Sequence, residues 1–161
     1  MVSIRLHATL RVVSHITRYG ETFDAFPAAP LALDGGEKEK ILQTLPGTLE
    51  GAEEACTLRY REEDGTETAL TFPWDGTEVT VRRNGAVRSE MRFLPGRVTP
   101  FVYATPYGEL RGEMHTHWVK STLHGRTGGI ALCYDCLLSG TLQRTLLSVT
   151  LSGEGRKGEC R

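Results

Sequence analysis

Apolar and polar side chains alternate one by one through most of this chain, and that period of two constrains its fold more than any other feature. Ile4, Leu6, Ala8, Leu10 and Val12 share one face of an extended segment, with Arg5, His7, Thr9 and Arg11 on the other. Further strands are expected at about 39–49, 54–62, 66–73, 77–83, 86–94, 98–106, 109–122, 129–139 and 143–152. Each has one apolar face, and short turns join them, so the sheet must close or stack to bury that face. The expected fold is all-β, an antiparallel up-and-down β-barrel of roughly 8–10 strands, because closure abolishes exposed edges. A two-sheet sandwich is the alternative, but it needs crossovers, and only one connection is long enough.

The 161 residues amount to about one domain, placed at 1–152. Residues 18–36, with Phe23, Phe26, Pro27, Pro30 and Gly35-Gly36, read as an irregular insertion. It has room for one short helical turn, and its aromatics are expected to cap a barrel end. The Gly-rich, charged stretch 153–161 is expected to be a disordered tail. The N-terminal alternation is unlike a signal peptide, and no apolar run approaches the roughly 20 residues of a membrane helix. A cytoplasmic protein with no membrane partner is the expectation. Residues 1–80 hold 7 Lys/Arg and 14 Asp/Glu, whereas 81–161 hold 12 and 6. Such segregation can mark an anion-binding face, and more often gives a surface with one acidic and one basic side.

Register can be derived for one hairpin. A two-residue Asn84-Gly85 loop would set Val81 opposite Arg88. A three-residue loop, Arg83-Asn84-Gly85, instead pairs Val81 with Val87 and Val79 with Ser89, and keeps Val79, Val81, Met91 and Phe93 on one face. It calls for a left-handed Gly85 as a bulge. Cys133 and Cys136 have redox or zinc spacing, but on a strand they project to opposite faces. No second pair accompanies them, so no metal, disulfide or other cofactor is expected.

Several segments occur in a familiar order: Tyr60-Arg61-Glu62-Glu63, Arg83-Asn84-Gly85, Met91-Arg92-Phe93, and Tyr103-Ala104-Thr105-Pro106-Tyr107-Gly108. Thr116 and Tyr134 follow in late strands. Over about residues 1–13 and 38–152 the chain resembles the YwiB-like family of bacterial proteins. The resemblance implies a calycin-type, lipocalin-like barrel and carries no established activity. Residues 18–36 depart from the family pattern.

Strand parity then sorts side chains. Cys56, Leu58, Tyr60, Glu62, Thr68, Leu70, Phe72, Val87, Ser89, Leu110, Met114, Thr116, Trp118 and Tyr134 are expected inside. Pro100 suggests a bulge, beyond which Phe101, Tyr103 and Thr105 point inward. Buried hydroxyls need partners, so these groups form either a self-satisfied network or the polar part of a ligand cavity. The leading reading is a non-catalytic barrel binding a small amphipathic or anionic molecule through Tyr60, Tyr103, Thr105, Tyr134 and Trp118. Tyr107 would fold over the barrel end, with Glu62 and Arg83 near the mouth. One alternative is an enzyme with Glu62 as general acid/base; another is a partner-binding or homodimerising module. Glu113, His115 and His117 share a face, but parity puts it outside as a solvated polar surface. Arg82, Arg83, Arg88, Arg92 and Arg97 make a basic hairpin without interleaved aromatics, so a nucleic-acid partner is not expected. No Gly-x-Ser-x-Gly elbow and no phosphate-cradling glycine loop occurs.

Overall fold

Two long strands, β1 (Ile4–Thr22) and β2 (Glu37–Gly51), pair from Ile4–Gly51 to Arg18–Glu37. In the computed structural model, which describes residues 4–27 and 36–151, eight shorter strands continue the meander. They are β3 (Ala55–Arg61), β4 (Glu67–Pro73), β5 (Val79–Asn84), β6 (Arg88–Phe93) and β7 (Val98–Thr105), then β8 (Gly108–Ser121), β9 (Gly128–Leu138) and β10 (Thr141–Leu151). Every strand is antiparallel to its sequence neighbour, and β10 returns to β1. The result is a closed ten-stranded barrel in a single domain, so the sandwich alternative is excluded. The described residues contain no helix, and so none long and apolar enough to cross a membrane.

Two expectations about the insertion need correction. β1 does not stop near residue 18 but runs to Thr22, because Tyr19 and Thr22 still pair with Leu142 and Thr141 of β10. Nor do the insertion's aromatics cap a barrel end. Phe23 and Phe26 lie against Tyr19, Leu137 and Leu142 on the outside of the wall, as a second apolar cluster. The described part of the insertion has no helical turn. The tail 153–161, Cys160 and residues 28–35 lie outside the described residues.

The hairpin β5–β6 also differs in register. Val81 faces Met91, Val79 faces Phe93, and Arg83 faces Ser89, so the three-residue loop is Gly85-Ala86-Val87. The displacement from the expected pairing is four residues, from Val87 to Met91, an even number. Inward and outward sets on the paired strands therefore survive, although Val87 leaves the barrel wall for the loop. Gly85 does not take the left-handed conformation; Gly65, in the neighbouring β3–β4 turn, does, at φ +92°. Gly85 is needed for closeness instead, since a Cβ there would stand 2.7 Å from Thr66 Cα. The β5–β6 turn rests directly on the strand start beside it.

One half of the barrel is filled. Leu10, Leu58, Leu70, Phe72, Met114, Ile130 and Leu132 are at most 1% exposed and close that half, each contributing roughly 2 kcal/mol by burial. The end bearing the β3–β4, β5–β6, β7–β8 and β9–β10 turns is not filled. There the β6–β7 seam is held by only two directly opposed pairs, Arg88–Ala104 and Ser89–Tyr103. Thr99 donates its hydroxyl to the Arg92 carbonyl at 3.1 Å and bridges the seam farther along.

Candidate functional site

Register places five inward residues on one cross-strand rung. Tyr60 of β3 faces Thr68 of β4, Thr68 faces Arg83 of β5, Arg83 faces Ser89 of β6, and Ser89 faces Tyr103 of β7. Directly opposed side chains on one face of a sheet touch, so this rung is a continuous polar band across the inner wall. Glu62, just beyond the end of β3, reaches back to it. Arg83 binds the Glu62 carboxylate in bidentate fashion, Nη2 to Oε1 at 2.9 Å and Nε to Oε2 at 3.2 Å. The Thr68 hydroxyl donates to Oε2 at 2.6 Å. Burial would lower the Arg83 pKa, but its charge and hydrogen bonds with Glu62, aided by Tyr103, raise it, so the guanidinium stays charged.

Above the filled half, these residues line a cavity of about 570 Å³, open at the turn end. Apolar surface comes from Val81, Met91, Phe93, Phe101 and Leu147, polar surface from the rung, Gln43, Gln143 and Thr145. Tyr134 stands on the opposite wall, its ring 4.6 Å from that of Phe93. Burial pushes the Tyr134 phenol up to about 12 and the Tyr60 phenol higher still, while Cys136 is pushed up to about 11. All three are neutral at physiological pH. The Ser89 hydroxyl is buried in this wall and has no hydrogen-bond partner. A cavity of this volume with an apolar floor and a few convergent polar groups suits one small organic molecule.

Of the eight expected site residues, five meet here: Tyr60, Glu62, Arg83, Tyr103 and Tyr134. Three do not. The Thr105 hydroxyl is spent in the β7–β8 turn, accepting from the Tyr107 amide and donating to the Gly108 carbonyl. Tyr107 is 98% exposed at that turn and covers nothing. Trp118 lies on the outer surface, 41% exposed, because a β-bulge between Thr116 and Trp118 reverses parity. Thr116 faces Tyr134 inside, yet Trp118 faces Cys133 outside, and Val119 takes the inward place. Leu110, opposite Tyr103, is also 42% exposed at the open rim. Cys136 lines the cavity, while Cys133 has the opposite parity, so the pair does project to opposite faces.

The outer wall holds a cluster that parity alone misses. Asp135 of β9 is 5% exposed although it points out of the barrel. It accepts from Arg144 Nε at 2.7 Å and Nη2 at 3.1 Å, and lies 3.0 Å from His117 Nε2. Burial alone would raise its pKa, but the Arg144 and His117 interactions outweigh that and hold it low. The His115 ring lies tilted against that of His117 at 4.7 Å, and Phe26 meets His115 edge-on at 6.0 Å. Phe26 thus covers part of this face at His115, and Asp135 is buried beneath it, while Glu113 stays exposed as expected. A signal was present: from Ile130 to Leu138 apolar residues occupy both parities, as strands buried on both faces do. On the opposite side the basic hairpin is largely paired, Arg82 with Glu90 and Arg92 with Glu78.

Residues 32–146 match a family described as a domain of unknown function, DUF1934. The chain belongs to that family. It is 32% identical over 124 residues to the "Uncharacterized beta-barrel protein YwiB" of Bacillus subtilis (strain 168), spanning 76% of this chain and 86% of the relative. The crystal structure of the ywiB protein from Bacillus subtilis superposes with a TM-score of 0.66 at 22% identity. That likeness covers 91% of this chain and 93% of the other, and it extends to the fold alone. The expected YwiB-like membership is therefore borne out.

Proposed function

We propose that this barrel binds one small amphipathic molecule in its half-open interior. The observation that carries the reading is the contrast between the two halves: one is packed to near-zero exposure, the other keeps about 570 Å³ of space. Barrels of modest strand number fill with side chains unless a ligand is to be held. The apolar body would rest on Phe93, Phe101 and Leu147, and its polar end would meet the rung, where the Ser89 hydroxyl lacks a partner. A general-base role for Glu62 is less favoured, because Arg83 and Thr68 already occupy its two oxygens.

Native mass spectrometry of freshly purified protein tests this, with Gln143→Trp as comparison, since an indole in the lining would crowd the space a ligand needs. A non-covalent adduct on the parent protein and its loss from a folded Gln143→Trp variant is the expected result. An adduct equally present on both would place the ligand elsewhere and overturn the reading.

A further inference from the structure

Glu62 and Arg83 are the only acidic and the only basic side chain among the described residues lining the cavity; burial keeps Tyr60, Tyr134 and Cys136 neutral there. They neutralise one another through two hydrogen bonds, and both are partly withdrawn from water, their side chains 20% and 26% exposed. An anion entering this space would find the one cation already committed to a carboxylate. It would either compete with Glu62 for Arg83 or lie close to the Glu62 charge without compensation, and uncompensated charge in a partly desolvated site is unfavourable. A cation meets the mirror-image obstacle at Arg83. A neutral molecule, or a zwitterion with both charges within reach of the pair, meets neither.

We propose that the Glu62–Arg83 pair is the specificity element of the cavity, selecting amphipathic ligands with no net charge against simple anions and cations. This rests on the cavity-binding reading and deepens it. The basic character of the 81–161 half would by itself invite an anion, so the proposal makes a different choice. The pair is a filter that operates by cancelling its own charge.

Two fluorescent probes of nearly the same shape separate the outcomes: neutral N-phenyl-1-naphthylamine and its anionic relative 1-anilinonaphthalene-8-sulfonate. Binding is counted only where Gln143→Trp removes it, which excludes dye on the outer surface. On the parent protein the neutral probe should bind tighter, by roughly fivefold to tenfold given the partial exposure of the pair. Glu62→Gln leaves Arg83 unpaired and should move the neutral-to-anion affinity ratio toward the anion by a similar factor. Arg83→Gln should move it the other way. Should either variant fail to fold, the other variant and the parent ratio still decide. Equal affinities on the parent, or variants that shift the ratio in the same direction, overturn the charge filter while leaving the cavity reading intact. If neither probe binds in a manner sensitive to Gln143→Trp, the cavity reading falls and the filter with it.

Discussion

Replacing Asp135 by asparagine should cost the protein about 3 kcal/mol, more than almost any other surface-directed change. The carboxylate is 7% exposed at its side chain and meets Arg144, itself 14% exposed, at 2.7 and 3.1 Å, with His117 at 3.0 Å. An amide keeps the shape but presents one oxygen and no charge, so Arg144 would keep a desolvated positive charge without a counter-ion. Breaking such a pair typically costs 3–5 kcal/mol; the lower end applies because His117 is 29% exposed and water can reach one side. Equilibrium urea unfolding measures it, read as a lower midpoint at unchanged slope. A pH series adds an independent sign. Because the folded pKa of Asp135 is lowered, its contribution is complete above the ordinary carboxylate value of 3.8 and is lost as pH falls through the folded value. The parent should therefore lose stability in that acid window, and the variant should lose less. A cost below about 1 kcal/mol at neutral pH, with acid profiles that coincide, would refute the account of this cluster as a buried ion pair.

Two further changes probe the corrected geometry. Gly85→Val should destabilise by roughly 2 kcal/mol through collision with Thr66, and Gly85→Ala by nearly as much, since the Cβ itself makes the contact; a neutral alanine variant in urea would show that the turn does not rest on Thr66. Trp118→Ser should alter stability by no more than about 1 kcal/mol and leave cavity binding of the neutral probe unchanged, because the indole lies outside the barrel; loss of probe binding on titration would return Trp118 to the interior.

The barrel was legible because parity is robust to the errors that sequence reasoning makes. The β5–β6 register was displaced by four residues, yet Val79, Val81, Met91 and Phe93 kept their face, since any even displacement does. The same rule explains the failure at Trp118. A bulge inserts one residue, an odd number, and every assignment beyond it inverts until the strand ends. Nothing in Thr116-His117-Trp118 announces a bulge, whereas Pro100, which suggested one, sits in a strand whose register with β8 is unbroken from Val98–His115 to Thr105–Gly108. Thr105 and Tyr107 failed for a different reason: they belong to a turn, where alternation no longer dictates direction and local hydrogen bonds do.

The outer cluster was hidden because single-strand parity says which way a side chain points, not whether something covers it. Seen from the fold, the two surprises of this molecule share one wall. Along β9, Tyr134 faces the cavity and Asp135 the outer cluster; along β10, Thr145 faces the cavity and Arg144 the cluster. On β8, His117 sits in the bulge directly after Thr116, which faces Tyr134 within. The directly opposed Asp135–Arg144 pair thus ties β9 to β10 next to the rung where Tyr134 faces Thr145, and Phe23 and Phe26 pack on the neighbouring apolar cluster. A half-empty barrel lacks the side-chain packing that would otherwise hold such a wall in place. Fixing it from outside holds the wall in place while the interior space stays open, which is a physical reason for a buried ion pair on a surface that alternation assigns to solvent.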